Sequence, residues 1–296
     1  MATLREIRRR IRSVRNIAKV TRAMEMVAAA KMRRAQNQVL AMRPYAEKAR
    51  DILAHLAAQR GVGEDVHPLL ASRPVERVSL VLITSNKGLC GGYNHNLIRH
   101  VDEFLESAEA PVDLITVGRI GRGAMLRSGQ DIVADFEQIP DQPSFLDIAP
   151  VTRVLIDDFL SGKVDEVYIA YTDFVNTMVQ IPRIARLLPL QRIGSISETP
   201  LPEQTGALVE YIYEPSPREI LNAVVPRFTE VQVYEAFLEA RASEQSARMV
   251  AMRAATDNAN DLIGDLTLTY NQARQNAITK EMLDIVGGVE ALAESK

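Results

Sequence analysis

The residues with the strongest claim to chemistry lie in two glycine turns. Gly88-Leu-Cys-Gly-Gly92 and Gly118-Arg-Ile-Gly-Arg-Gly123 each follow a run rich in β-branched residues, where a phosphate-binding loop would sit. The 88–92 turn lacks the G-x-x-x-x-G-K-[S/T] spacing, and no Lys follows to reach a phosphate. The 118–123 turn has the glycine order of a dinucleotide loop reversed, and no acidic residue stands at the end of a following strand to hold a ribose. Both read better as turns from a strand into a helix. Cys90 with His95 or His100 could form a nucleophile pair, but no acid is spaced to orient the imidazole. The four His show no metal-binding spacing, and a single Cys allows no internal disulfide, Cys-based zinc site or dithiol switch. The expectation is a chain without catalytic residues, cofactor or metal of its own.

These turns belong to a central region, residues 75–213, whose hydrophobic period suits strands alternating with helices. Val78–Thr84, Val112–Val117, Ile132–Gln138 and Glu166–Phe174 are predicted strands, separated by helices near 95–108, 119–128 and 144–161. The order β-α-β-α-β-α-β predicts a mainly parallel, Rossmann-like sheet with helices on its faces. Met178–Leu190 and Ala207–Tyr213 are candidate edge strands, and Ser195–Gly206, with Pro200 and Pro202, is an expected mobile loop.

Long helices flank this region. In residues 1–60, Thr3 and Glu6 form a capping box. A 3-4 alternation then runs through Leu4, Ile7, Ile11, Val14, Ala18, Thr21, Glu25, Ala28, Met32, Ala35, Val39, Met42, Ala46, Ala49, Leu53 and Leu56. Only Thr21 and Glu25 break its apolar character, so the stretch reads as a coiled-coil strand about 80 Å long. Pro44 is expected to bend it. In residues 216–296, Ser216-Pro217-Arg218-Glu219 is a further capping box, and Pro226 is expected to kink the helix or restart it. Met252, Ala255, Ala259, Leu262, Leu266, Thr269 and Ala273 are the expected seam, resumed by Ile278, Met282, Ile285, Val289 and Leu292. The simplest fold is an antiparallel coiled coil of the two ends, carrying the α/β domain between them.

Charge is distributed unevenly. Residues 1–50 hold fourteen Lys/Arg against three Glu, a net of +11, which leaves −14 on the rest to give the overall −3. One end is thus built to sit beside negative charge. Nucleic acid is a poor match, because Tyr45 is the only aromatic residue before Tyr93 and no stacking platform exists. No run reaches the 18 apolar residues a membrane span needs, so a soluble or peripheral protein is expected.

Several stretches resemble the gamma subunits of F-type ATP synthases. They are Ile11–Met32, Ser85-Asn-Lys-Gly-Leu-Cys-Gly-Gly-Tyr-Asn94, Ser243–Asn258, Tyr270-Asn271, Arg274-Gln275 and Ile278–Gly288. Two departures are small: Asn86 replaces the usual Asp, and Val289-Glu290 replace small residues. The resemblance implies a noncatalytic central-stalk rotor, one copy per complex. It would couple proton translocation to ATP synthesis or hydrolysis in a head of three alpha and three beta subunits. It implies that Arg274 and Gln275 catch a loop of a catalytic subunit, and that Met24, Arg248, Thr279 and Glu281 take part in coupling. Tyr211, Tyr213 and Glu214 would meet the epsilon subunit and the membrane c-ring. The expected location is the cytoplasmic face of a bacterial cell membrane. The alternatives are a coiled-coil scaffold or nucleic-acid-associated protein with an α/β domain, and an α/β enzyme with helical oligomerisation arms.

Overall fold

A computed structural model describes residues 3–58, 67–190 and 216–294. The chain forms two compact units, residues 1–28 with 249–296, and residues 29–248, and both long helices contribute to each. The elements in chain order are α1 (Leu4–Ala58), a short 3-10 turn at Pro68–Leu70, β1 (Val78–Ile83), α2 (Tyr93–Ser107), β2 (Val112–Val117) and α3 (Arg119–Arg127). They continue with β3 (Ile132–Phe136), α4 (Phe145–Leu160), β4 (Glu166–Phe174), β5 (Gln180–Leu188) and α5 (Pro217–Glu294).

In the larger unit the strands form one sheet in the order β3-β2-β1-β4-β5. The first four are parallel, and β5 returns antiparallel to β4 as an edge strand, which the Met178–Leu190 run anticipated. Alternation along the central strands sends side chains to two cores. Leu80, Leu82 and Leu114 meet Leu97, Val101 and Met125 of α2 and α3 on one face. Val81, Ile83, Ile115 and Val167 meet Ile148, Val151 and Leu155 of α4 and Val225, Phe228 and Phe237 of α5 on the other. Right-handed crossovers explain this sorting: α2 and α3 connect strands added in one direction, whereas α4 carries the chain back past β1 to start the opposite half. Val39, Met42 and Ala49 of α1 also pack on this latter core.

In the smaller unit α1 and α5 pair antiparallel. Arg8 hydrogen-bonds Tyr270, Thr21 meets Thr256, and Glu25 faces Arg253, so numbers rise along one helix as they fall along the other. The capping box is present, with Glu6 N–H donating to Thr3 Oγ1 at 3.3 Å and Thr3 N–H to Glu6 Oε2 at 2.8 Å. Ile7, Ile11, Val14, Ala18, Thr21 and Ala28 are buried, as the heptad reading requires.

One expectation needs correcting, and another is narrowed. α1 and α5 run through Pro44 and Pro226 as helices of 55 and 78 residues, so neither helix restarts there. Packing along both helices outweighs the single hydrogen bond each ring removes. The α5 seam also differs in phase. Met252, Ala255, Thr256, Ala259, Ile263, Leu266, Thr267, Tyr270 and Ala273 are shielded from solvent, while the expected Leu262 and Thr269 are exposed, Leu262 by 45%. Both alternations share Met252, Ala255, Ala259, Leu266 and Ala273, and only the facing helix decides which neighbour turns inward. The Ser195–Gly206 loop and the Ala207–Tyr213 strand lie outside the described residues.

Candidate functional site

A doubly wound sheet takes its ligand outside the carboxyl ends of the strands, where strand order reverses. Here that point lies between β1 and β4, and α5 fills it. From the loop after β1, Tyr93 Oη donates to Ala240 O at 3.1 Å, while Arg248 Nη2 donates to Lys87 O at 3.1 Å and Gly88 O at 3.3 Å. From the turn after β4, Thr177 O accepts from Ser246 Oγ at 2.9 Å. The crevice that would hold a nucleotide holds a helix.

Both glycine turns serve this packing. Gly118 has φ of 93°, and a Cβ there would lie 2.3 Å from Thr84 O. A Cβ on Gly121 would lie 2.7 Å from Thr84 Oγ1, which instead accepts the Gly121 N–H at 2.9 Å. The glycines bring α3 close against the end of β1, as a turn into a helix should. The 85–92 loop is pinned from several directions. Asn94 Oδ1 accepts from Ser85 N–H at 3.1 Å, and Asn94 Nδ2 donates to Ser85 Oγ at 2.8 Å. Asn86 Oδ1 accepts from Arg119 N–H at 3.0 Å, and its Nδ2 donates to Glu137 O at 3.2 Å. An Asp at this position could not donate the bond to Glu137, which gives the Asn86 departure a physical reason. Cys90 is buried, and burial pushes its thiol up, away from nucleophile chemistry. Among the described residues no cluster could hold a metal ion.

The predicted site residues fall in different surroundings. Arg248 is nearly enclosed, its Nη1 2.7 Å from Glu244 Oε1. Met24 is half-buried on α1. Arg274, Gln275, Thr279 and Glu281 are exposed along α5, among Ile278, Met282, Leu283, Ile285 and Val286, each between 49% and 65% exposed. Contiguous apolar exposure of this kind marks a surface for a partner. In α1, Arg5, Arg8, Arg9, Arg10, Arg12, Arg15, Lys19 and Arg22 are all exposed, forming a cationic face beside a filled seam. Tyr211, Tyr213 and Glu214 lie outside the described residues.

Sequence reading missed Arg241 and Glu244. Their side chains are 8% and 5% exposed and joined at 2.8 Å. The signal was available: Arg241, Glu244 and Arg248 stand three and four apart and so share one helix face.

A family model described as ATP synthase matches residues 3–292. The ATP synthase gamma chain of Dehalococcoides mccartyi strain CBDB1 is 52% identical over 293 residues, covering 99% of this chain and all of that one. That of Roseiflexus castenholzii is 49% identical over 298 residues, again with 99% and 100% coverage. Among solved structures, a chain of the Tetrahymena thermophila mitochondrial ATP synthase central stalk and c-ring has a TM-score of 0.62 at 25% identity, covering 80% of this chain and 99% of its own. A chain of the Euglena gracilis mitochondrial ATP synthase has a TM-score of 0.66 at 21% identity, with 98% and 94% coverage, and shares the fold.

Proposed function

The chain belongs to the ATP synthase gamma-chain family, and on that footing we propose how it performs the central-stalk role. The paired helices engage the catalytic head and the α/β unit engages epsilon and the c-ring, a division that follows residues 1–60 and 216–296 against 75–213. The observation that carries this reading is α5 itself. One stretch of it is clamped across the sheet, and another is exposed with apolar side chains.

A rotor must grip at one place and slip at another. The clamp uses directed hydrogen bonds and a filled core, so torque reaching the sheet passes into the helix. The exposed stretch from Arg274 to Gly287 carries five large apolar side chains, Ile278, Met282, Leu283, Ile285 and Val286, which contact a surrounding surface without directional bonds that resist turning. Polar residues stand among them, and Arg274 and Gln275 are the pair assigned to catch a catalytic subunit. A guanidinium forks onto carboxylates, a contact that breaks and reforms once per catalytic subunit. Met24, Arg248, Thr279 and Glu281 take part in coupling, and the cationic face of α1 faces acidic segments of the head. Tyr211, Tyr213 and Glu214 contribute to the epsilon and c-ring contact. The chain performs no covalent step. It drives a catalytic site by contacting that site's conformers with different free energies.

The complex is membrane-associated, while among the described residues no helix is long and apolar enough to cross a bilayer. The organisms of the relatives support a place on the cytoplasmic face of a bacterial cell membrane. Reconstitution with alpha, beta and epsilon subunits and the membrane sector should restore ATP-driven proton pumping in vesicles. A chain that instead forms a homodimer, binds DNA in a salt-sensitive manner and ignores the head would support the scaffold alternative.

A further inference from the structure

We propose that Glu244 is a positioning residue of the rotor, holding Arg248, which ties the Lys87–Gly91 loop onto α5, so that loop and helix turn as one piece. The inference rests on the rotor reading above and names a residue which that reading leaves without a role.

The geometry is that of a keystone. The Glu244 carboxylate is 5% exposed and takes one arginine on each oxygen, Arg241 Nη1 on Oε2 at 2.8 Å and Arg248 Nη1 on Oε1 at 2.7 Å. Two largely enclosed cations share this one anion, with the Asp141 carboxylate also acting on Arg241, and their remaining N–H groups need other acceptors. Arg248 finds them in the loop, where Lys87 O and Gly88 O accept from Nη2. Arg241 Nε has no hydrogen-bond partner. Glu244 is the carboxylate that both arginines touch, and without it two enclosed cations would face each other, which is disfavoured.

What the lock holds is a strained loop with an apolar tip. Leu89 sits at φ of 64°, in the left-handed region, and is 65% exposed. A branched side chain keeps that conformation only when its surroundings over-determine it. Asn86, Asn94 and Ser85 fix the loop to α2, α3 and the sheet. Arg248 is its tie to α5, and Glu244 aims Arg248. The sheet thus gains a rigid hold on α5 at the level of the loop. A loosened loop would let the helix twist before the sheet followed.

The substitution Glu244→Gln tests this. A Gln side chain can accept from one arginine through its carbonyl, but its amide must then point a donor at the other. In the assembled complex, hydrogen exchange of the amides between residues 87 and 91 should quicken roughly tenfold. The ratio of protons pumped to ATP hydrolysed should fall roughly twofold or more. A purely structural role would lower pumping and hydrolysis together with the yield of complex and leave their ratio fixed. Glu244→Asp, which keeps the charge, should recover part of the ratio. If Glu244→Gln prevents assembly, Arg248→Lys should show both effects, because an ammonium cannot fork to the carboxylate and two carbonyls. Faster exchange with an unchanged ratio overturns the positioning role and leaves the rotor reading standing, as does unchanged exchange. Failure of the wild-type complex to pump would sink the rotor reading instead.

Discussion

From Phe228 to Ser246 no residue of α5 is exposed, and from Arg274 to Gly287 every residue is. The two stretches share a helix and differ in what stabilises them. The first is enclosed by β-sheet, α4 and α1, with Phe237, Val233 and Ser246 fully buried and Tyr93, Tyr234 and Thr177 supplying polar ties. It is helical because it is packed. The 274–287 stretch has few such contacts, and a helix of this length is marginal in water without packing. Its five large exposed apolar side chains indicate that a partner completes it. Under the rotor reading proposed above, the difference separates a grip, where specific bonds are an advantage, from a bearing surface, where they would hinder motion.

Substitutions can sharpen this contrast. The largest effect is expected from Phe237→Ala, which should destabilise the full chain by about 3–5 kcal/mol in a denaturant melt. An effect below about 1 kcal/mol would mean that the enclosure is loose.

Glu239, in the same stretch, gives a pH signature. Burial next to Asp173, with Glu235 adding repulsion and Arg183 only partly compensating, pushes its carboxyl up to about 8 from an ordinary 4.5. The folded chain therefore holds a proton that the unfolded chain has lost. This group's stabilising contribution is complete below 4.5 and declines as pH rises toward 8. Glu239→Gln should match wild type near pH 5 and exceed it by on the order of 1–3 kcal/mol near pH 8, measured by calorimetry. Equal pH profiles for the two would contradict the placement of this side chain.

In the helix pair, Thr21 Oγ1 and Thr256 Oγ1 lie 2.7 Å apart and are buried, each also within reach of a carbonyl one turn back, so their two protons serve two of three contacts. Thr21→Val alone should cost about 0.5–1.5 kcal/mol by removing the contact of Thr256 across the pair, whereas the double Val variant should be close to neutral. Additive losses would mean that the hydroxyls act independently. The smallest effect is expected at the exposed end. Met282→Ala or Leu283→Ala should shift stability by no more than about 0.5 kcal/mol while lowering torque in the assembled complex.

Much of this was legible in the sequence because local signals agreed with the fold. Strand ends at Val112 and Val117 followed from β-branched runs, and the α1 seam from its heptads. The Thr3–Glu6 cap followed from its residue types. What escaped depended on a partner element. The choice between Leu262 and Ile263 is made by the facing helix, and the tolerance of Pro44 and Pro226 by packing. The glycine turns read as strand-to-helix turns, yet their purpose emerged only once Thr84 and α5 were placed against them. The buried Arg241–Glu244–Arg248 cluster had a readable spacing, but the same spacing occurs on solvated helix faces, and burial alone separates the two.

The central claim is that α5 transmits rotation between the clamped sheet and the head. Its most direct test attaches a visible probe at Ser107, on the surface of the sheet unit, in a complex whose alpha and beta subunits are fixed to a support. With ATP supplied, the probe should turn in one direction, pausing three times per revolution. A probe that stays still while the same complexes hydrolyse ATP at the normal rate would contradict the account.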